Sequence, residues 1–421
     1  MGDGRTAMWT SPTHQPCELM LAVTLPLVLA SIPALAGGAY LARLGLAARR
    51  ISAPAPNRSL RFSIVVPAHD EATGIVRTVQ SLLALDYPPE LCRVVVVADN
   101  CTDATATLAR GAGAMVLERN DTTRRGKGYA LMFAYDAVIR DAWADAIVVV
   151  DADTIVSTNL LTAAGARLAN GEECAQAEYG VRNADESWRT RLMSLAFTLH
   201  HTLRSLGRER LMLSCGLRGN GMAFRTALLK RIPHQSTALA EDVEYGLALG
   251  LAGVRVAYLH EATVLGEMPA TEAASRTQRD RWERGRRELT RQWSKPLLRA
   301  ALARNGTLAR DLLADLWVPP LVSFSTFVTT GCSLSVLLWT LGWADALAPL
   351  FWAFSFLLLL VYIGRGCALS PAGWRVIRDV VWVPVYVFWK FSARLRPARG
   401  SAWVRTARVA TPDADRDEVI R

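Results

Sequence analysis

The sequence predicts an α/β protein with a Rossmann-like, mostly parallel sheet, flanked by long apolar helices. Three observations carry that reading. Short β-branched runs alternate with stretches of helical spacing from residue 62 onward. Each run ends at a polar loop, most sharply in Ile147-Val148-Val149-Val150-Asp151-Ala152-Asp153. Stretches almost without charge lie before residue 50 and after Pro296.

Taken in order, residues 1–17 are a polar segment, and 18–50 contain an apolar run, Leu19 to Leu35, with Arg43, Arg49, Arg50 and Arg58 behind it. A signal peptide carries its positive charge ahead of the apolar run. Here the charge follows, which predicts an anchoring helix with its C-terminal end in the cytoplasm. A Pro/Ser/Asn-rich linker leads into a domain spanning 51–295. Phe62 to Pro67 and Cys92 to Ala98 read as strands, Ala114 to Leu117 as a short third, and the Ile147 run as the fourth. Gly74 to Leu85 and Tyr129 to Arg140 read as helices between them, and Asp103 is placed to cap a helix running to Gly111. Ser187 to Leu206 is amphipathic, Gly216 to Phe224 glycine-rich, and Ala240-Glu241-Asp242 opens a helix before a strand at Val254 to Leu259. Residues 296–395 read as a membrane region, with spans near 316–342 and 346–364 and an interfacial helix at 380–391. A basic tail, 396–421, completes a multi-pass topology in the cell membrane with the central domain cytoplasmic.

The formal net charge of +10 in 421 residues suits an anionic surface or substrate. No nucleic-acid module is present, so membrane and anionic substrate are preferred over nucleic acid. Seven cysteines are scattered singly with no C-x-x-C, which indicates neither a disulfide framework nor a zinc site.

In open α/β sheets, ligands bind beyond the carboxyl ends of the strands, where Asp151 and Asp153 stand. Two carboxylates there need a positive partner. A hard divalent cation carrying a phosphate would serve, since Mg²⁺ takes one or two carboxylates plus substrate oxygens. Alone, D-x-D is equally a strand–helix loop. Lys127 between Gly126 and Gly128 suits an anionic donor, because glycine lets backbone approach phosphate closely. Arg124 and Arg125 also read as solvated surface charge. Asp242 at a helix start is either a base or a cap.

In order along the chain stand Val66-Pro67-Ala68-His69-Asp70-Glu71, Asp99, Gly126-Lys127-Gly128, Asp151-Ala152-Asp153, Glu241-Asp242 and Gln278-Arg279-Asp280-Arg281-Trp282. Over residues 62 to 290 this series resembles the membrane-integral, family-two inverting glycosyltransferases, the superfamily of cellulose, chitin and hyaluronan synthases. Ala240 departs from the usual Thr before Glu-Asp and leaves the acid intact. The resemblance implies a GT-A nucleotide-diphospho-sugar transferase domain. It also implies a UDP-sugar donor, a lipid or glycan acceptor at the membrane, and single displacement with Asp242 as base. It implies donor contacts from Pro67, Glu71, Asp99, Lys127, Asp151 and Arg281, with Asp99 accepting the uracil N–H and Arg281 clamping the diphosphate. Asp153 and Asp151 would hold Mg²⁺ or Mn²⁺. Trp282, Gln278, Gly219, Asn220, Gly221 and Glu241 would face the acceptor. From the residues alone Trp282 reads equally as a membrane-interface anchor, Asp99 as a loop former and Gly219-Asn220-Gly221 as a plain turn. Rival readings are a processive polysaccharide synthase, a nucleotidyltransferase and a non-catalytic protein of similar fold.

Overall fold

The computed structural model describes residues 15–268, 272–304, 306–370 and 373–380. The expected interfacial helix beyond Val380, the basic tail and residues 1–14 lie outside the described residues. The strands are β1 Phe62–Ala68, β2 Cys92–Asp99, β3 Met115–Arg119, β4 Ala146–Val149, β5 Thr154–Val156, β6 Cys174–Val181, β7 Met222–Arg225 and β8 Val256–Gly266. The helices of the first half are α1 Gln15–Ala47, α2 Ile75–Leu83, α3 Thr105–Gly111, α4 Lys127–Asp141, α5 Leu160–Ala169 and α6 Trp188–Phe197. Then come α7 Arg204–Arg210, α8 Thr226–Arg231, α9 Glu241–Leu251, α10 Glu272–Ala301, α11 Thr307–Trp317, α12 Leu321–Thr340, α13 Leu347–Leu369 and α14 Ile377–Val380.

The eight strands form one sheet in the order β3-β2-β1-β4-β7-β6-β8-β5. β1 lies between β2 and β4, parallel to both, with Ile64 opposite Val94 and Val148. Burial on both faces explains why these strands are near-continuous Val and Ile rather than alternating. β7 runs antiparallel to β4 and β6, and β5 antiparallel to β8. The expected mostly parallel, GT-A-type sheet is therefore present, in mixed form. β5, β6 and β7 carry no strong β-branched run, and the sequence reading passed over them. β8 runs past the expected Leu259 to Gly266.

The chain divides into two compact units. One comprises the sheet and its helices, from Leu44 to Trp317, and rejoins the chain at Arg365. This corrects the expected boundary near 295. The second half of α10 and all of α11 belong with the sheet, because Leu289, Leu297, Leu312, Leu313 and Leu316 pack with Leu247 of α9 in one core. The expected span beginning at 316 is corrected too: Leu316 lies in the last turn of α11, which ends at Trp317, and the chain breaks at Val318-Pro319-Pro320 before α12 starts at Leu321. Proline at that break cannot donate the helical hydrogen bond.

The other unit holds α1 to Arg43 and residues 318–364. Among the described residues three helices are long and apolar enough to cross a membrane: Glu18–Ala47, Leu321–Thr340 and Leu347–Leu369. Within this unit Gly331 accommodates Trp352, whose indole N–H donates to the Leu27 carbonyl at 3.0 Å. Small residues at such contacts let apolar helices approach closely.

Candidate active site

The carboxyl ends of β1, β2 and β4 supply the first wall. Asp70 and Asn100 both adopt positive φ, at 54° and 51°, and so turn the chain sharply after β1 and β2. The Asp70 carboxylate accepts from the Thr102 amide at 2.6 Å, tying the two loops together. Glu71 is held by its own amide, which donates to the Thr105 hydroxyl at 2.7 Å, and Pro67 pairs with Val97 in the sheet just below. Asp103 accepts from the Thr105 amide at 2.9 Å and so caps α3 from two residues before its first residue, as its position suggested. Asp99 is 6% exposed and bonds Arg119 at 2.6 Å. Arg119 closes β3, donates also to the Arg124 carbonyl, and went unremarked in the sequence because the third strand was expected to stop at Leu117.

Asp151 and Asp153 follow β4 directly. The Asp151 amide donates to Asn220 Oδ1 at 3.1 Å, and Asn220 Nδ2 donates to Thr154 at 2.8 Å. Asn220 is fully buried. On the loop expected beside the acceptor, it braces the aspartate turn from below. Gly219 and Gly221, with φ of 80° and 73°, bend the loop that delivers it. At Gly221 any side chain would meet Ala177 and Val264 at 2.9 Å, so this turn is fixed by packing as well as by φ.

Lys127 ties the parts together. It opens α4 rather than lying in the loop before it, and its ammonium donates to Asp151 Oδ1 at 2.5 Å and to the Gly219 carbonyl at 2.6 Å. A Cβ on Gly219 would stand 3.2 Å from Asp242 Oδ2 and 3.4 Å from Lys127 Nζ. One ammonium therefore stands among the aspartate turn, the glycine loop and the start of α9. The lysine expected to meet an anionic donor serves here as a counter-ion among carboxylates. Burial works against its charge, yet Asp151, Glu241 and Asp242 outweigh it and raise its pKa. Burial likewise raises the Asp242 carboxyl, opposed by Lys127, and burial with Asp242 nearby pushes Glu241 up to about 7. Two adjacent acids around one lysine titrate as a pair.

The far wall comes from α6, α10 and β6. Trp282 packs beside Val181, Phe197 and Met268, its ring 6.4 Å from that of Phe197. This is a contact within the sheet unit, so the tryptophan is held by protein rather than standing alone as an interface anchor. Arg281 is half-buried and makes no ion pair among the described residues. Gln278 Oε1 is buried without a hydrogen-bond partner. Tyr179 edges onto Phe197 at 5.1 Å, and burial with Asp151 and Asp153 nearby holds its phenol well above the ordinary value. No motif announced Tyr179. It was findable only once β6 was known to run next to the glycine loop.

The described geometry fits a hard divalent cation. Two carboxylates stand in sequence at a strand end, Asp151 is about a third exposed, and only one of its oxygens is engaged by Lys127.

Comparison with known proteins matches residues 58–285 to the model described as glycosyltransferase like family 2. A probable glycosyltransferase, YdaM of Bacillus subtilis (strain 168), is 24% identical over 234 residues, covering 53% of this chain and 55% of that protein. The chain thus spans about half the length of this curated relative. The mannosyltransferase PcManGT from Pyrobaculum calidifontis, solved with GDP-Man and Mn²⁺, superposes with a TM-score of 0.53. The match covers 87% of this chain and 99% of that one at 18% identity, a likeness of fold. With more than half of its length under the family model, the chain belongs to glycosyltransferase family 2.

Proposed function

We propose that the protein transfers a sugar from a UDP-sugar to a lipid or glycan acceptor at a membrane, by single displacement with Asp242 as base. The observation that carries this reading is the Lys127 bridge, which sets the aspartate turn and the start of α9 around one ammonium. The acceptor hydroxyl attacks the anomeric carbon, the bond to the nucleoside diphosphate breaks, and Asp242 takes the hydroxyl proton. The fold relative PcManGT was solved with Mn²⁺, and Asp153 with the second oxygen of Asp151 would hold Mg²⁺ or Mn²⁺ here. Such an ion, when bound, acts as a Lewis acid that stabilises charge on the departing diphosphate. Arg281 is placed to add a guanidinium clamp on the same group. Glu71 and Asp99 line the nucleoside end, with Arg119 fixing the Asp99 carboxylate so that it accepts an N–H from the base.

Acceptor contacts are proposed for Trp282, Gln278, Glu241 and the Gly219 to Gly221 loop. Gln278 supports this with an acceptor atom that is buried and unsatisfied until something donates to it. Three apolar helices among the described residues are few for a wide glycan channel, which favours transfer of single sugars over polymer export. Residues 51–310 and the tail are placed in the cytoplasm, with the turn at Asp345 outside. Membrane-impermeant labelling of Asp345→Cys from outside, and of Gly400→Cys only after permeabilisation, is the expected pattern; labelling of both from one side would overturn the topology.

The substrate test is a panel of UDP- and GDP-sugars presented to the purified full chain, with nucleoside diphosphate release as readout. UDP release from one UDP-sugar is expected. Release of GDP alone would move the donor assignment to guanosine, and release from neither would overturn the transferase reading.

A further inference from the structure

Behind the acceptor wall, α7, α10, α11 and the glycine loop bury an excess of positive charge. Arg204 and Arg208, 3% and 1% exposed, both reach Asp315 Oδ1, at 3.0 and 2.8 Å, and Arg208 also reaches Asp311 at 3.0 Å. Arg286 of α10 caps the end of α11 through the Asp315 carbonyl. Arg218 is the fourth guanidinium. It donates to the Cys215 carbonyl at 3.0 Å and lies 3.2 Å from His200 Nε2, and its Nε is buried without a partner. No carboxylate lies within ion-pair distance of it among the described residues. Four guanidiniums thus stand around Asp311 and Asp315. Arginine does not shed its proton, so burial cannot neutralise the excess as it would for a lysine. His200 does not add to it, because burial and Arg218 hold its imidazole well below the ordinary value.

The placement of Arg218 gives the excess a direction. It is the residue before Gly219, whose carbonyl holds Lys127, and its charge is felt at Asp242. Arg218, His200 and Arg286 keep partial solvent access while Arg204 and Arg208 are sealed behind them. The π-helical turn Thr198–Leu203 carries His200 toward Arg218, and carries His201 onto Phe197 at 4.5 Å, beside Trp282. A cationic corner therefore adjoins the aromatic acceptor wall.

Building on the proposed transfer reaction, we propose that the acceptor is anionic: it bears a phosphate group that docks on Arg218, while its hydroxyl meets Asp242. A phosphate accepts several charge-assisted hydrogen bonds from a guanidinium, and the second row of arginines strengthens the field it enters.

The test uses the full chain in nanodiscs, saturated with UDP and Mg²⁺ so that the donor site is filled, and titrated calorimetrically with glucose 6-phosphate, glucose and inorganic phosphate. Glucose 6-phosphate is expected to bind at least about tenfold more tightly than glucose or inorganic phosphate, the scale of one charge-assisted contact. Arg218→Gln should lose that advantage and keep wild-type UDP affinity, and Arg218→Lys should restore part of it. Equal binding of glucose and glucose 6-phosphate overturns the proposal, as does an Arg218→Gln protein with the advantage intact. Inorganic phosphate binding as well as the sugar phosphate would make the corner a plain anion pocket and overturn the acceptor assignment. The wild-type contrast decides the matter even where a variant fails to fold. Failure of UDP and Mg²⁺ to bind at all would instead strike the transfer reading on which this rests.

Discussion

The two sides of the site are built differently. On the donor side, the loops after β1 and β2 satisfy one another: Asp70 holds the Thr102 amide, Asp103 the Thr105 amide, Asn100 Oδ1 the Asp121 amide, and Arg119 the Asp99 carboxylate. On the acceptor side, Gln278 Oε1 and Arg218 Nε are buried and unpartnered, and Glu241 and Asp242 share one lysine. Buried polar atoms usually find partners. On the proposed assignment, the contrast is between a donor site formed in advance by short-range chain contacts and an acceptor site completed by its ligand.

The strongest way to break this comparison is to remove the cation-binding carboxylate. Asp153→Ala, or EDTA on the wild type, should abolish transfer in a sugar-release assay, and Mg²⁺ or Mn²⁺ should restore only the wild type. Full turnover by the variant in EDTA would contradict the assignment. A smaller but structural effect is expected at Arg119. Arg119→Leu leaves the buried Asp99 carboxylate unpaired, which costs about 3–5 kcal/mol of stability and should be read by denaturant unfolding. If the donor side is formed in advance as argued, the loss appears without any ligand. An unchanged unfolding midpoint would show that the pair contributes little.

A subtler effect sharpens the acceptor side. Burial and the neighbouring Asp242 push Glu241 up to about 7, whereas Asp242 is raised by burial and held down by Lys127. A base must be ionised to act, so kcat/KM should fall as pH drops through the pair's range. Glu241 is protonated below about 7, so Glu241→Gln should leave the lower, Asp242 limb in place and remove any inflection near 7. An acid limb displaced by Glu241→Gln would show that the two acids share that titration.

The same contrast decided what could be read in advance. The placement of the proposed donor residues was legible because they end strands whose Val and Ile runs announce themselves, and because Asp151 and Asp153 directly follow such a run. The bracing role of Asn220 was not legible because a glycine-flanked polar residue reads as an exposed turn; its burial and its bonds to Asp151 and Thr154 show it turned inward. Tyr179 and Arg218 were invisible because they depend on β6 and β7, strands without a strong β-branched pattern, and on contacts spanning many residues. The α11 helix was misread as membrane for a related reason. Leu312, Leu313 and Leu316 are apolar, but they face Leu247 and Leu289, while Asp311 and Asp315 turn to arginines of α7.

The central claim is that Asp242 removes the acceptor proton from within a site whose donor half stands independently. Asp242→Asn, assayed in parallel for sugar transfer and for UDP and Mg²⁺ binding, tests it most directly. Loss of a general base should slow transfer by about 10²–10⁴-fold, while UDP and metal affinity stay near those of the wild type. Transfer at the normal rate would move the base to Glu241 or Glu244, and loss of UDP binding together with transfer would make Asp242 a structural cap of α9 instead.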